Sequence, residues 1–128
     1  MPQTPPIMSL HLRYRLWIAE MNSDIDVIRI FGDYLKELDS RRAEIEVKSK
    51  IDYFQQQFVN LRKQIDELRD QMHIIKMKLA AYSRATKDIN YTTYQKDKHT
   101  SLKKSYLALK KKFSNIKEEF VQFEAEWL

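Results

Sequence analysis

The fold is decided by residues 51–82, which read IDYFQQQFVNLRKQIDELRDQMHIIKMKLAAY. Large apolar residues recur there at alternating intervals of three and four positions, without an exception from Ile51 to Tyr82. This heptad spacing places their side chains on one face of an α-helix, and it predicts a long helix over residues 51–84. The predicted packing residues of this helix are Phe54, Phe58, Leu61, Ile65, Leu68, Met72, Ile75 and Leu79.

The same spacing returns near the C-terminus and predicts a second long helix over residues 100–127. Aromatic residues fill every second apolar position of this helix, which makes its face too bulky for a parallel two-stranded zipper. We therefore expect a core of three or more helices, although the aromatic residues near the C-terminus could instead form a docking face for a partner. The predicted packing residues are Leu102, Tyr106, Leu109, Phe113, Ile116, Phe120, Phe123 and Trp127.

The first residues of the chain have a weaker pattern. Residues 1–9 contain all three prolines and are predicted to be a disordered tail. Apolar residues over 10–18 fit both the alternation of a strand and the spacing of a helix. Because a lone strand would have no partner elsewhere in the chain, we favour a helix over residues 10–21. Its tryptophan and arginines would also suit a membrane surface, but packing onto the other helices explains them equally well.

A further helix is predicted over residues 23–47. Ser23 and Asp26 have the spacing of a capping box, which marks the start of a helix. The apolar stripe that follows continues as far as Ile45 and then loses its phase. We therefore expect a bend or a short break near residues 48–50.

Residues 85–99 are rich in Thr, Asn, Asp and Tyr and poor in strong helix formers, which is typical of a connection. This connection is long enough to reverse the chain, so the two long helices should pack antiparallel. The predicted fold class is therefore all-α: a long antiparallel helical hairpin or coiled-coil-like bundle with an additional N-terminal helix. The sequence predicts a single helical domain over residues 10–128.

A second, shorter apolar stripe lies beside the main one, at Ile74, Met77 and Ala81. One partner helix cannot cover two sides of a helix, so a third helix must come from the N-terminal part or from a second chain. We expect a homo-oligomer, with a twofold-symmetric dimer as the favoured form.

Composition argues against an enzyme. The chain has no cysteine and one glycine, so it lacks thiolate chemistry and glycine-rich phosphate loops. Asp70 and His73 have the spacing of a di-iron ligand pair, but the sequence offers no second pair. We expect no catalytic residue, cofactor or metal. No signal peptide or membrane span is recognisable, so a cytoplasmic protein is expected.

Positive charge is concentrated in residues 84–113, which contain nine basic residues and two acidic ones. These cations could form a surface for a partner protein, or they could bind nucleic acid phosphates between the interleaved tyrosines. Residues 23–47 carry seven acidic residues against four basic ones, and we expect this acidic helix to lie against the basic flanks of the hairpin. The candidate contact residues are Arg84, Lys87, Lys96, Lys98, Lys103, Lys104, Lys110, Lys111 and Lys112.

The function that this pattern favours is a non-enzymatic coiled-coil scaffold or adaptor. Such a protein would mediate protein–protein interaction and self-association through its helical surfaces. The alternative is a nucleic-acid-associated protein that uses the basic segment, residues 84–113.

Overall fold

The computed structural model describes residues 6–41, 44–85 and 93–126. Every one of these residues except Glu44 is helical, and no strand occurs among them. The predicted all-α class is therefore confirmed. The three helices are α1 (Pro6–Arg41), α2 (Ile45–Ala85) and α3 (Thr93–Glu126).

Helix α2 packs antiparallel to α1. The Arg69 guanidinium donates a hydrogen bond of 3.0 Å to the side-chain oxygen of Asn22. Closer to the other end of the pair, the Lys48 ammonium lies 3.6 Å from the Asp39 carboxylate. Since residue numbers rise along one helix as they fall along the other, these contacts fix the register of α1 against α2.

Helix α3 is antiparallel to α2 and therefore parallel to α1. The Tyr53 hydroxyl donates to the Glu119 carboxylate at 3.1 Å, and the Lys50 ammonium lies 3.5 Å from the Glu126 carboxylate. The molecule is thus an up-down-up bundle in which α2 packs against both other helices.

One continuous core runs between the three helices. Its centre is a cluster of phenylalanine rings around Phe120, whose neighbours lie between 4.4 and 6.2 Å away from centroid to centroid. The predicted packing residues of α2 and α3 line this core and are buried, apart from Ile75, which is half-buried. Trp127 lies outside the described residues. The backbone of α3 lies farther from α2 than the backbone of α1 does, because bulky rings of α3 stand between the two helices.

The predicted division between helices 10–21 and 23–47 is wrong. Helix α1 runs through this point without a break, and the ambiguous residues 10–18 are helical. The buried stripe continues across it from Met21 to Ile25 and Ile28. The free energy gained by burying these side chains in a continuous helix exceeds what a local capping signal contributes to starting a new one.

The interruption expected near residues 48–50 lies earlier in the chain, immediately before Ile45. Ile45 is 86% exposed, whereas Val47 is fully buried and lies four residues before Ile51. The heptad of α2 therefore begins at Val47, and Ile45 does not belong to the stripe of α1.

Two other helix ends differ from the expectation. Helix α1 already begins at Pro6, where proline is well tolerated, and Ile7 packs into the core, so residues 6–9 are not a disordered tail. Residues 1–5 lie outside the described residues. Helix α3 begins at Thr93 rather than at residue 100, and its added turns carry His99 into contact with α1.

The second stripe of α2 stays uncovered. Ile74 and Met77 are each 55% exposed, so α1 does not lie over them as a third helix within the chain. Helix α1 packs along the main stripe of α2 instead. A cover from a second chain stays a prediction.

Candidate functional site

The residues of the basic segment fall into groups that differ in their contacts. Lys103, Lys104 and Lys111 are exposed on α3, Lys98 is half-exposed, and none of them forms an ion pair within the described part of the chain. Lys112 donates a long hydrogen bond of 3.4 Å to the Gln64 side chain. The side chains of Arg84, Lys87 and Lys96 lie outside the described residues.

Lys110 has a different environment from the other lysines because it faces α1. Its ammonium lies 2.8 Å from the Asp24 carboxylate and 3.8 Å from that of Glu20. Asp24 is only 8% exposed, and it occupies a position of the α1 heptad where an apolar residue is expected. The acidic stretch of α1 therefore does meet the basic flank of α3, at this pair of buried or half-buried charges.

An aromatic cluster joins the first half of α1 to the start of α3. The Trp17 ring stacks between those of His99 and Tyr106, with centroid distances of 5.8 and 5.3 Å. The Tyr14 hydroxyl and His99 Nδ1 lie 3.1 Å apart and share a hydrogen bond. Tyr14 is fully buried, so this polar contact lies at the edge of the core.

Burial shifts the pKa values of two members of the aromatic cluster. It lowers the pKa of His99 below its ordinary value of 6.5, and the positive charges of Lys103 and Arg13 add to this effect. Burial also raises the pKa of Tyr106 to about 12, with contributions from the Glu20 and Asp24 carboxylates. Both side chains are therefore neutral in the folded protein at pH 7.

We expect the protein to lose stability as the pH falls below 6.5. His99 takes up a proton more readily in the unfolded chain than in the folded one, so acid favours unfolding. Urea unfolding at pH 7.5 and 5.5 would measure the loss, and His99→Gln should reduce it. An equal loss in the variant would show that His99 is not the group responsible.

An apolar groove runs along the surface between α1 and α2, and we call it the Gly32 groove. Its volume is about 510 Å³, and most of its surface is hydrocarbon. Apart from its chain neighbours and the backbone of its own helix, a Cβ atom added to Gly32 would find no atom within 4 Å, so the space above this residue is open. The lining residues are Ile28, Gly32, Lys36, Gln55, Phe58, Val59 and Arg62.

Gly32→Ala should raise the free energy of unfolding by about 0.5–1 kcal/mol, because glycine is a poor residue for a helix interior. The added methyl group would meet no obstacle. Urea unfolding would measure the gain. A loss of stability would show that the groove is narrower in solution than in the structure.

A second groove, between α2 and α3, has a volume of about 360 Å³ and a more polar surface. Leu68 and Leu109 are buried along it, while glutamines, a glutamate and a lysine form much of the remaining wall. Small side chains at Ser105 and Ala108 leave this space open. It offers an apolar partner far less surface than the Gly32 groove does.

The described residues contain no group of three or more histidine or carboxylate side chains that could hold a metal ion. Asp70 and His73 are exposed on α2. None of the helices in the described ranges is both long and apolar enough to cross a membrane.

Comparisons of this chain with protein-family models, with curated proteins and with solved structures found no match.

Proposed function

We propose that this chain is a non-enzymatic helical adaptor that binds protein partners through the outer surfaces of its bundle. A cytoplasmic location belongs to the same proposal. Long amphipathic helices bury one face each and leave their other faces free for partners. The bundle thereby holds an extended surface in a fixed shape.

The observation that carries this proposal is the Gly32 groove. Phe58 and Ile28 are themselves buried, yet they form the floor of an open apolar space on the outside of the bundle. Val59 stands at its edge and is 63% exposed. Exposed apolar surface that is concave and bordered by polar side chains is typical of sites that bind other proteins.

The adaptor function can be tested by purifying the tagged full-length chain from its native cells after crosslinking. A captured protein counts as a partner when the two purified proteins also bind directly in titration calorimetry. Leu68→Asp places an unpaired charge in the core and serves as an unfolded control of nearly the same composition, once circular dichroism has verified that its helices are lost. If no captured protein binds the purified chain directly, or if each binds the unfolded control equally well, the proposal fails.

Self-association is a further part of the proposal, and exposed apolar side chains at one end of the bundle support it. Leu12 and Leu16 of α1 lie at the same end as Ile74 and Met77 of α2, given the antiparallel register of the two helices. We expect a twofold-symmetric dimer in which this end is covered. Light scattering at tens of micromolar would show it, and Leu12→Glu with Met77→Glu should yield monomers; a monomeric wild-type chain would contradict it.

A second candidate function is binding of a nucleic acid by the basic segment. It is supported by Lys103, Lys104 and Lys111, which are exposed on α3 and form no ion pair with any described residue. Mobility-shift assays with DNA and RNA at two salt concentrations would test it, since phosphate contacts weaken steeply with salt. Binding should disappear when these three lysines become glutamine and persist in a control with Lys63→Gln and Lys78→Gln.

A further inference from the structure

We propose that the Gly32 groove is a docking site for one helix of a partner protein, a helix with a bulky apolar side chain between two carboxylates. The apolar side chain would enter the space above Gly32, and the carboxylates would lie one turn before and one turn after it. This inference rests on the proposed adaptor function and names the chemistry of the partner.

The dimensions of the groove fit a helix. Ile28, Gly32 and Lys36 follow one another at intervals of four residues along α1, so they form one wall about 12 Å long. Phe58 and Val59 of α2 lie opposite the middle of this wall. A length of about 12 Å accommodates two turns of a docked helix, which is the usual extent of helix-in-groove recognition.

The charges at the groove select an acidic partner. Its lining contains two cations, Lys36 and Arg62, and no carboxylate. In the antiparallel register of α1 and α2, Lys36 lies at one end of the groove, whereas Arg62 lies at the other end beside Ile28. Carboxylates one turn before and after a central residue are also about 12 Å apart along a helix, so they match this spacing.

The two cations are available to a partner to different degrees. Lys36 is exposed and forms no ion pair within the described residues. Arg62 bonds to Asp66 of its own helix, at 3.2 Å from the nearer oxygen, but Asp66 is shared with Arg69. Two cations therefore share one carboxylate, and the α2 wall keeps a net positive charge.

A second copy of this chain is a poor occupant of the groove. A twofold-symmetric contact would place Lys36 and Arg62 of one copy against the same cations of its partner, and the like charges would repel. Carboxylates of a different protein would instead meet both cations. The charges around the groove thus favour a partner protein over self-association at this face.

The glycine itself supports the assignment. It lies in the interior of α1, where alanine or leucine would suit a helix better, and no packing contact requires its lack of a side chain. Among the described residues, the absence of a side chain at Gly32 leaves open an apolar space that Phe58 also lines. A glycine with no packing role inside the fold is explained if another molecule fills that space.

Fluorescence anisotropy with the full-length chain would test the site. The probe is a labelled four-turn helical peptide with a central tryptophan and a glutamate one turn to either side. Gly32→Leu should weaken its binding on the order of tenfold or more, because the new side chain occupies the groove. Ala108→Leu, which fills the groove between α2 and α3, is the matched control and should leave binding unchanged.

Charge reversal provides a second measurement that does not depend on filling the groove. A peptide with lysines in place of the glutamates should bind the wild-type chain weakly, and the variant with Lys36→Glu and Arg62→Glu should prefer it. Circular dichroism of each variant would verify its helical content. The site assignment is overturned if the glutamate peptide does not bind, or if it binds Gly32→Leu as well as the wild type.

The same variants separate this inference from the broader function. A natural partner that binds Gly32→Leu and the wild type equally well would leave the adaptor function standing and remove the Gly32 groove as its site. A change in the oligomeric state of Gly32→Leu would assign the groove to a second copy and overturn the proposal. Absence of any direct partner would remove the adaptor function itself.

Discussion

Replacing Phe120 with alanine should lower the free energy of unfolding by about 3–5 kcal/mol, the usual range for removing a buried phenylalanine. Phe120 is buried, and its ring contacts Phe31 of α1 at 4.4 Å and Phe54 and Phe58 of α2, each at 5.4 Å. It is thus a side chain of α3 that touches both other helices. The alanine variant leaves a cavity at the point where the three helices meet.

Urea unfolding followed by circular dichroism would measure this loss. Val121→Ala is the matched control, since Val121 is the next residue on the same helix and is exposed. Its free energy of unfolding should change by about 0.5 kcal/mol or less. If Phe120→Ala is as mild as this control, α3 does not pack against the other helices as described.

Lys110→Met should lower the free energy of unfolding by about 3 kcal/mol, because it leaves the nearly buried Asp24 carboxylate without its counter-charge. The methionine side chain preserves most of the packing that the lysine stem provides. Lys111→Met on the exposed face of α3 is the control and should be close to neutral. Urea unfolding at pH 7 would compare the three proteins.

The double variant with Asp24→Leu and Lys110→Met should recover the stability lost in the single one. Position 24 falls on the apolar stripe of α1, so a leucine there would extend the core. Replacing a buried ion pair by apolar residues of similar size is often neutral or stabilising. A double variant as unstable as Lys110→Met would show that the pair contributes more than its charges, for instance by fixing the register of α1 against α3.

The sequence predicted α2 and α3 well because their apolar residues keep one spacing over many turns. Phe54 to Leu79 and Leu102 to Phe123 form stripes that no competing pattern interrupts. Local spacing of this kind determines which face of a helix is buried, whatever its partners are. The all-α class followed from these two stripes.

The N-terminal half was harder to predict because its key residues depend on contacts distant in sequence. Ser23 and Asp26 have the spacing of a helix start, but α1 continues through them. Asp24, which lies between them, pairs with Lys110 on another helix. The spacing of Ile45 predicted that it belongs to the apolar stripe of the preceding helix, but in the structure its side chain is exposed to solvent. Spacing along one helix contains no information about such partners.

The candidate site was missed for a similar reason. Gly32 is visible in the sequence as the one glycine of the chain, and an isolated glycine inside a helical pattern costs about 1 kcal/mol relative to alanine. Its role in the groove depends on Phe58 and Arg62 of α2, which are distant in sequence. The lysines of the basic segment were easier to find, yet the sequence did not distinguish the partnered Lys110 from its exposed neighbours.

The up-down-up arrangement also bears on how fast the chain folds. Each helix packs antiparallel to the one that follows it, so α2 carries the extensive interfaces and α1 meets α3 through fewer contacts. Most native contacts therefore join residues of the same helix or of consecutive helices, which gives the bundle a low contact order. Helical proteins of this topology reach the native state in roughly microseconds to milliseconds, since little loop-closure entropy is lost before packing begins.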